Sequence, residues 1–297
     1  MAGAAEGAAD FMEFPPEGMD VVGAETVAVV TAGDTLADVA RRYNLGHEEI
    51  RIANPDVEFW LPVEGTRVKI PSRFVLPRAA RAGLVLNLPE MRLYVFRNAF
   101  DAESRRMVIT HPVSIGRMDW ATPLGTTRIT ARVKNPSWTP PESIRREHAD
   151  DGDILPTVVP PGPDNPLGQH ALKLALPGYL LHGTNRPYGV GMRVTHGCIR
   201  LYPEDIEALF ESVQVGTPVE FVNQPVKVGW GREGLFMEVH PLLEEDDRDS
   251  QDLKILAMEL LESTAGDLAA YISEDEIMRV IDERNGRPIL LMKKFEG

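Results

Sequence analysis

The chain has 297 residues, about twice the length of an average domain, so two or three compact units are expected. With 43% hydrophobic and 26% charged residues it is neither disordered nor membrane-embedded, and 31 Lys and Arg against 45 Asp and Glu give a net charge of −14 that argues against nucleic acid as a partner. No run of about 18 apolar residues is present to span a bilayer, and the single cysteine excludes an intrachain disulfide or a Cys-rich zinc site.

Residues 1–24 are rich in Ala and Gly and carry Glu6 and Asp10 where an export signal would have a basic region and an apolar run. They read as a flexible leader. From 25 to 73 the order is strand, helix, helix, strand. Thr26 to Val30 is strand-like, Asp34 or Thr35 can cap a helix, and Leu36, Val39, Ala40 and Tyr43 form its apolar stripe. Asn44-Leu45-Gly46 breaks that helix, His47 to Ala53 forms a second that stops near Asn54-Pro55, and Thr66 to Ile70 closes the unit before Pro71. By themselves Asp34-Thr35 and Asn54-Pro55 need only be caps and turns. Together with Thr31-Ala32-Gly33, Ile52-Ala53 and Val68-Lys69-Ile70-Pro71, they make the segment resemble a LysM module. That resemblance implies binding to the N-acetylglucosamine units of glycans such as peptidoglycan.

After a Pro-flanked linker, Phe74 to Arg81, the pattern turns to strands. Leu84 to Leu88 and Leu93 to Phe96 flank a Pro89-Glu90 turn, and β-prone runs follow at Met107 to Ile115, Thr126 to Val133, Ala171 to Leu176, Tyr179 to Leu181 and Pro218 to Val222. A mainly β domain over 80–226 is expected. Residues 135–168, with many prolines and charges, read as a long loop or lid bearing a short helix near Pro141 to Glu147.

The chemistry concentrates at Leu181-His182-Gly183-Thr184-Asn185 and Thr195-His196-Gly197-Cys198-Ile199-Arg200. Cys198 is either structural filler or a nucleophile. As a nucleophile it needs an imidazole or a positive charge to lower its pKa and ionise it. On an extended segment His196 faces the same way as Cys198, whereas His182 must arrive from a neighbouring strand, and spacing alone does not choose between them. Pro203-Glu204-Asp205 opens a helix, so Cys198 lies on a turn where the amides of Gly197 and Cys198 can form an oxyanion hole.

The run closely resembles the YkuD-type L,D-transpeptidases, in particular the LysM-bearing periplasmic enzymes of Gram-negative bacteria. The likeness extends to Asn135-Pro136-Ser137-Trp138-Thr139-Pro140 and Asp164-Asn165-Pro166-Leu167-Gly168. It implies Cys198 as nucleophile, His182 as its base, the Gly183 carbonyl orienting that imidazole, and His196, Thr195 and Arg200 building the pocket. Asn185 belongs to the same wording, and Trp138 is a candidate pocket wall or an aromatic packed under the Pro-rich loop. Tyr188, Arg186 and Arg193 flank the site as either carboxylate contacts or a solvated face. The implied reaction releases D-alanine from a peptidoglycan tetrapeptide stem through a Cys thioester. The acyl group then passes to the diamino acid of a second stem or to the C-terminal lysine of an outer-membrane lipoprotein. A hydrolase cleaving such links and a non-catalytic wall-binding scaffold are the alternatives, and the substrate implies a periplasmic location.

His47, His111, His148 and His240 show no metal-ligand spacing, His170 reads as structural, and neither a metal nor an energy cofactor is expected. In the tail, Leu253, Leu256, Ala257, Leu260 and Leu261 form one helical stripe ending near Gly266. Ser273 with Glu276 begins a second that ends near Asn285-Gly286, and Glu244 to Asp247 reads as a solvated acidic run. The fold class expected is α+β: a βααβ module, a mainly β catalytic domain over 80–226 and a small C-terminal appendage over 227–297, read as helical in class and as an α/β unit in its domain organisation.

Overall fold

The computed structural model describes residues 11–100 and 106–294. Residues 1–10 of the expected leader lie outside the described residues, but the rest of it is not a leader. Strands β1 (Phe11–Glu13) and β2 (Val21–Gly23) are formed there. Met12 and Val22 are buried with Phe74, Val85, Tyr94 and Val108, and this burial holds two strands too short to show a period.

The βααβ order of the first unit is β3 (Thr26–Val29), α1 (Leu36–Arg42), α2 (His47–Ala53) and β4 (Arg67–Ile70). Thr35 is the cap of α1: its hydroxyl accepts from the Asp38 amide at 3.1 Å, and the Asp38 carboxylate accepts from the Thr35 amide at 2.9 Å. Asp34 instead pairs with Arg42 at 2.6 Å. Asn54 stitches the end of α2 to β4, donating to the carbonyls of Ile50 and Lys69 at 2.9 Å and accepting from the Lys69 amide at 2.7 Å. Leu36, Val39, Leu45, Ile50, Val68 and Ile70 close a core of the unit's own.

The expected linker begins as strand β5 (Arg73–Val75), which pairs with β2. The mainly β domain follows with β6 (Gly83–Asn87), β7 (Arg92–Phe100), β8 (Arg106–Pro112), β9 (Ile115–Gly116) and β10 (Gly125–Lys134). Helix α3 (Glu142–Asp150) lies within the long loop. Then come β11 (His170–Leu174), β12 (Leu180–His182), β13 (Arg193–Thr195), β14 (Ile199–Arg200), α4 (Pro203–Ser212) and β15 (Pro218–Val222). Among the described residues the central sheet has the order β1-β8-β7-β6-β15-β10-β11-β12-β14. Its edge at β14 is tied back to the chain just after β8, because Ser114 and Arg200 exchange backbone hydrogen bonds at 2.8 and 3.0 Å. The inner face of the sheet and the apolar stripe of α4, Ile206, Leu209 and Phe210, share one core.

The tail is not helical alone. Strands β16 (Val226–Trp230) and β17 (Gly234–Val239) are joined by β18 (Ile289–Lys293) into a sheet on which α5 (Ser250–Ala265) and α6 (Glu274–Glu283) pack. Nor is its acidic run merely solvated. Glu245 pairs with Arg193 at 2.9 Å, and Asp246 accepts from Asn223 at 3.0 Å and from Arg248 Nε at 2.8 Å.

Two buried cations join the units. Arg92 of β7, fully buried, forks onto Glu49 of α2 at 2.7 and 2.9 Å, donates to Thr110 Oγ1 at 2.8 Å and to the Asn44 carbonyl at 3.1 Å, and lies 4.2 Å from the centre of the Phe74 ring. Gly46 and Gly191 pack backbone to backbone beside it: a Cβ on Gly191 would lie 2.4 Å from the Gly46 Cα. Lys227 of β16 reaches Glu90 at 2.8 Å, Glu238 at 2.7 Å and the Val75 carbonyl at 2.7 Å, so one ammonium serves the central domain, the linker strand and the tail. Glu90, Glu238 and His240 stand close enough to hold a metal ion, but the Lys227 ammonium already pairs with both carboxylates. Lys227→Ala leaves two carboxylates buried without their counter-charge and is expected to destabilise the protein by about 3–5 kcal/mol, measured as a fall in the urea midpoint.

Candidate active site

Cys198 and His182 are placed by adjacent strands at one sheet edge, whereas His196 follows β13, which pairs with β9 in a separate two-stranded sheet. β12 runs parallel to β14, with Leu181 opposite Ile199 and His182 opposite Arg200. Cys198 stands one residue before β14 and alongside the start of β12, and its thiol donates to the Gly178 carbonyl at 3.4 Å. The turn that presents it depends on glycine: Gly197 has φ +94°, and a Cβ there would approach the Tyr179 ring to 3.1 Å. Buried Thr195 donates its hydroxyl to the Cys198 carbonyl at 2.6 Å, and Thr122 donates to the Gly197 carbonyl at 3.3 Å. Both hydroxyls thus fix backbone carbonyls, and the amides of Gly197 and Cys198 have no hydrogen-bond partner among the described residues.

His182 is buried, and its Nδ1 lies 2.6 Å from the carbonyl of Gly183. A carbonyl only accepts, so Nδ1 carries the hydrogen and Nε2 keeps its lone pair. Gly183 is itself confined, since a Cβ would meet Ile206 Cγ2 at 3.1 Å. Burial first, and then the Arg200 charge, push the His182 pKa down to about 4, against the Gly183 hydrogen bond. Burial likewise pushes the Cys198 thiol up, against the Leu180 backbone hydrogen bond and the Arg200 charge. The expected lowering of the thiol pKa is therefore not found. Desolvation outweighs the nearby cation, and the resting pair is a neutral thiol and a neutral imidazole.

His196, which spacing alone also offers as the partner of Cys198, is engaged elsewhere. Its Nε2 lies 2.8 Å from Glu147 and 3.3 Å from Arg117, Arg117 pairs with Glu147 at 2.8 Å, and the Trp120 ring meets the imidazole edge-on at 5.5 Å. Arg117 and then His196 hold the Glu147 carboxyl below its ordinary pKa. Glu147 belongs to α3, so this cluster fastens the long loop to the cysteine turn. Glu147, Arg117, Trp120 and Thr122 escape a reading of sequence because they are dispersed over a turn and a loop with no shared period.

The remaining candidates separate. Arg200 stands in register with His182, half-buried and with Nε unpartnered. Asn185 is exposed. Trp138 exchanges backbone hydrogen bonds with Val159 at 2.9 and 2.8 Å, closing the base of the long loop rather than touching Cys198. Arg193, paired with Glu245, also donates to the Gly116 carbonyl at 3.2 Å.

Residues 81–221 match the family model of YkuD, the L,D-transpeptidase catalytic domain. The chain is 40% identical to the probable L,D-transpeptidase YcfS of Escherichia coli K12, over 93% of this chain and 86% of that protein. It is 36% identical to the probable L,D-transpeptidase YbiS of the same strain, over 94% and 90%. Among solved structures, an L,D-transpeptidase from Mycobacterium smegmatis aligns with 56% of this chain and 70% of its own at TM-score 0.36 and 21% identity.

The neutral state of His182 carries stability with a defined sign. Its folded pKa of about 4 lies below the ordinary 6.5, so the contribution is present above 6.5 and is lost as pH falls toward 4, by about 3 kcal/mol. Urea unfolding at pH 7 and pH 4.5 is expected to show this loss in the wild type and a distinctly smaller one in His182→Gln.

Proposed function

Since the chain belongs to the YkuD family of L,D-transpeptidases and is an enzyme, we propose that it acts on tetrapeptide stems of peptidoglycan through a thioester on Cys198. The observation that carries the chemistry is the 2.6 Å contact of His182 Nδ1 with the Gly183 carbonyl, which leaves Nε2 as the base. As the thiol approaches the carbonyl carbon of the third stem residue, its proton passes to His182 Nε2 and the C–S bond forms. The amides of Gly197 and Cys198 donate to the developing oxyanion. The bond to the terminal residue then breaks, and the proton on His182 passes to the departing D-alanine amine. In the second step an amine attacks the thioester, a new C–N bond forms and the thiol is regenerated with its proton.

A base of pKa about 4 is unprotonated throughout the neutral range. The proton therefore transfers in step with bond formation rather than being lost beforehand, and a charged pair arises only where substrate has displaced water. The acceptor amine is the diamino acid of a second stem or the C-terminal lysine of a lipoprotein, and the setting is the periplasm. The module at 25–73 is proposed to hold the glycan while the stem occupies the site. The buried Arg92–Glu49 contact between the two units supports this division of labour, because it sets the distance between them.

The test is intact-protein mass spectrometry after mixing with a purified disaccharide-tetrapeptide. Wild type is expected to gain the mass of the donor less D-alanine, and Cys198→Ala to gain nothing. His182→Gln is expected to form the adduct about 100-fold to 10,000-fold more slowly. An adduct that survives in Cys198→Ala, or no adduct and no free D-alanine in wild type, overturns the assignment.

A further inference from the structure

Most of the arginines around the cysteine turn have an acid. Arg117 pairs with Glu147, Arg193 with Glu245 and Arg41 with Glu204. Arg200 and Arg186 do not: among the described residues neither guanidinium has a carboxylate or hydrogen-bond partner, and Arg200 Nε is buried without one. Acids are in surplus, 45 against 31 basic residues, so the vacancy is not for want of them. An unpaired guanidinium taken partly out of water is costly to keep. After burial, the Arg186 charge also helps to push the Arg200 pKa down.

Their backbones are fixed. Arg200 exchanges hydrogen bonds with Ser114 at 2.8 and 3.0 Å, and Ser114 Oγ donates to the Gly189 carbonyl at 2.7 Å, holding the turn that follows Arg186 over the Arg200 side chain. The Arg186 amide donates to Thr184 Oγ1 at 2.9 Å. A Cβ on Gly189 would lie in van der Waals contact, 3.8 Å from an Arg200 terminal nitrogen, so this turn stands directly beside the guanidinium.

We propose that Arg186 and Arg200 form a carboxylate-binding subsite beside Cys198 that selects the donor stem. The planar fork of each guanidinium matches a carboxylate, and a ligand carboxylate supplies the counter-charge that the fold withholds. Two carboxylates on the donor suit this chemistry: the terminal carboxylate of the departing residue and the side-chain carboxylate of a diamino acid at the third position. The inference rests on the tetrapeptide reading above, and the experiment separates the two.

Acyl-enzyme formation is followed by intact mass in the full-length wild type, Arg186→Gln, Arg200→Gln and Arg200→Lys, as rate against donor concentration. Three donors are used: the native tetrapeptide, the same peptide with a terminal carboxamide, and the same peptide with a side-chain carboxamide. On the native donor each Gln variant is expected to lose about 10-fold to 100-fold in kcat/KM, with Arg200→Lys losing less. The donor that lacks the recognised carboxylate drops wild type by a similar factor, and the variants fall no further on it; which donor behaves this way names the carboxylate. Undiminished rates in Arg186→Gln and Arg200→Gln, or equal losses on all three donors, overturn the subsite. Thermal unfolding checks the Arg200 variants, and exposed Arg186 keeps the test valid if those do not fold. A wild type that forms no adduct with any donor overturns the tetrapeptide reading itself.

Discussion

Neutralising carboxylates where water is excluded is the constraint on which the arrangement of this protein depends. The βααβ unit, the central sheet and the tail each have a core of their own, and apolar cores alone would leave their relative placement to weak surface contacts. Arg92 and Lys227 remove that freedom. Each is buried: Arg92 reaches from the central sheet to Glu49 and the Asn44 carbonyl of the βααβ unit, and Lys227 reaches from the tail to Glu90 and the Val75 carbonyl. Burying such ions gains little net stability, but misplacing them is expensive, so they specify one docking geometry among many. Burial alone would raise the pKa of Glu238; the charge of Lys227 and the hydrogen bond from His240 outweigh it, and the carboxyl stays ionised.

The same contest between burial and charge has the opposite outcome at the candidate site. At Cys198 burial opposes the Arg200 charge and outweighs it, whereas at His182 burial and that charge act together, so both groups are neutral. The difference lies in pairing. Glu238 receives an ammonium at 2.7 Å, whereas the guanidinium of Arg200 makes no hydrogen bond to the sulfur. On the proposed mechanism the site therefore creates charge during the reaction rather than storing it beforehand.

Much of this was legible in the sequence, for physical reasons that also explain what was not. The stripe Leu36, Val39, Ala40 shows because its helix has one wet and one dry face, and the hairpin around Pro89-Glu90 shows because a turn signal separates two short apolar runs, although both of its faces are buried. β17 is buried along its whole length and shows no alternation, and β16 hides a lysine at an interior position where a pattern reader expects an apolar residue. Met12 and Val22 sit in strands of three residues, too short to show any period. At the site, His182, Gly197 and Cys198 are close in sequence and could be read together. The Glu147–Arg117–His196 cluster joins a loop helix to two separate turns, and only the folded chain brings them together. The sign of the Cys198 shift could not be read from spacing either, because it depends on how completely the turn is covered.

A thiol kept protonated has a consequence beyond acyl transfer. Oxidants such as peroxides attack thiolates far faster than thiols, and a chain with a single cysteine has no second thiol to resolve a sulfenic acid as an internal disulfide. Burial that raises the Cys198 pKa thus slows such attack on the resting sulfur. On the proposed mechanism the reactive form exists only for the moment when His182 takes the proton and a carbonyl carbon is already within reach.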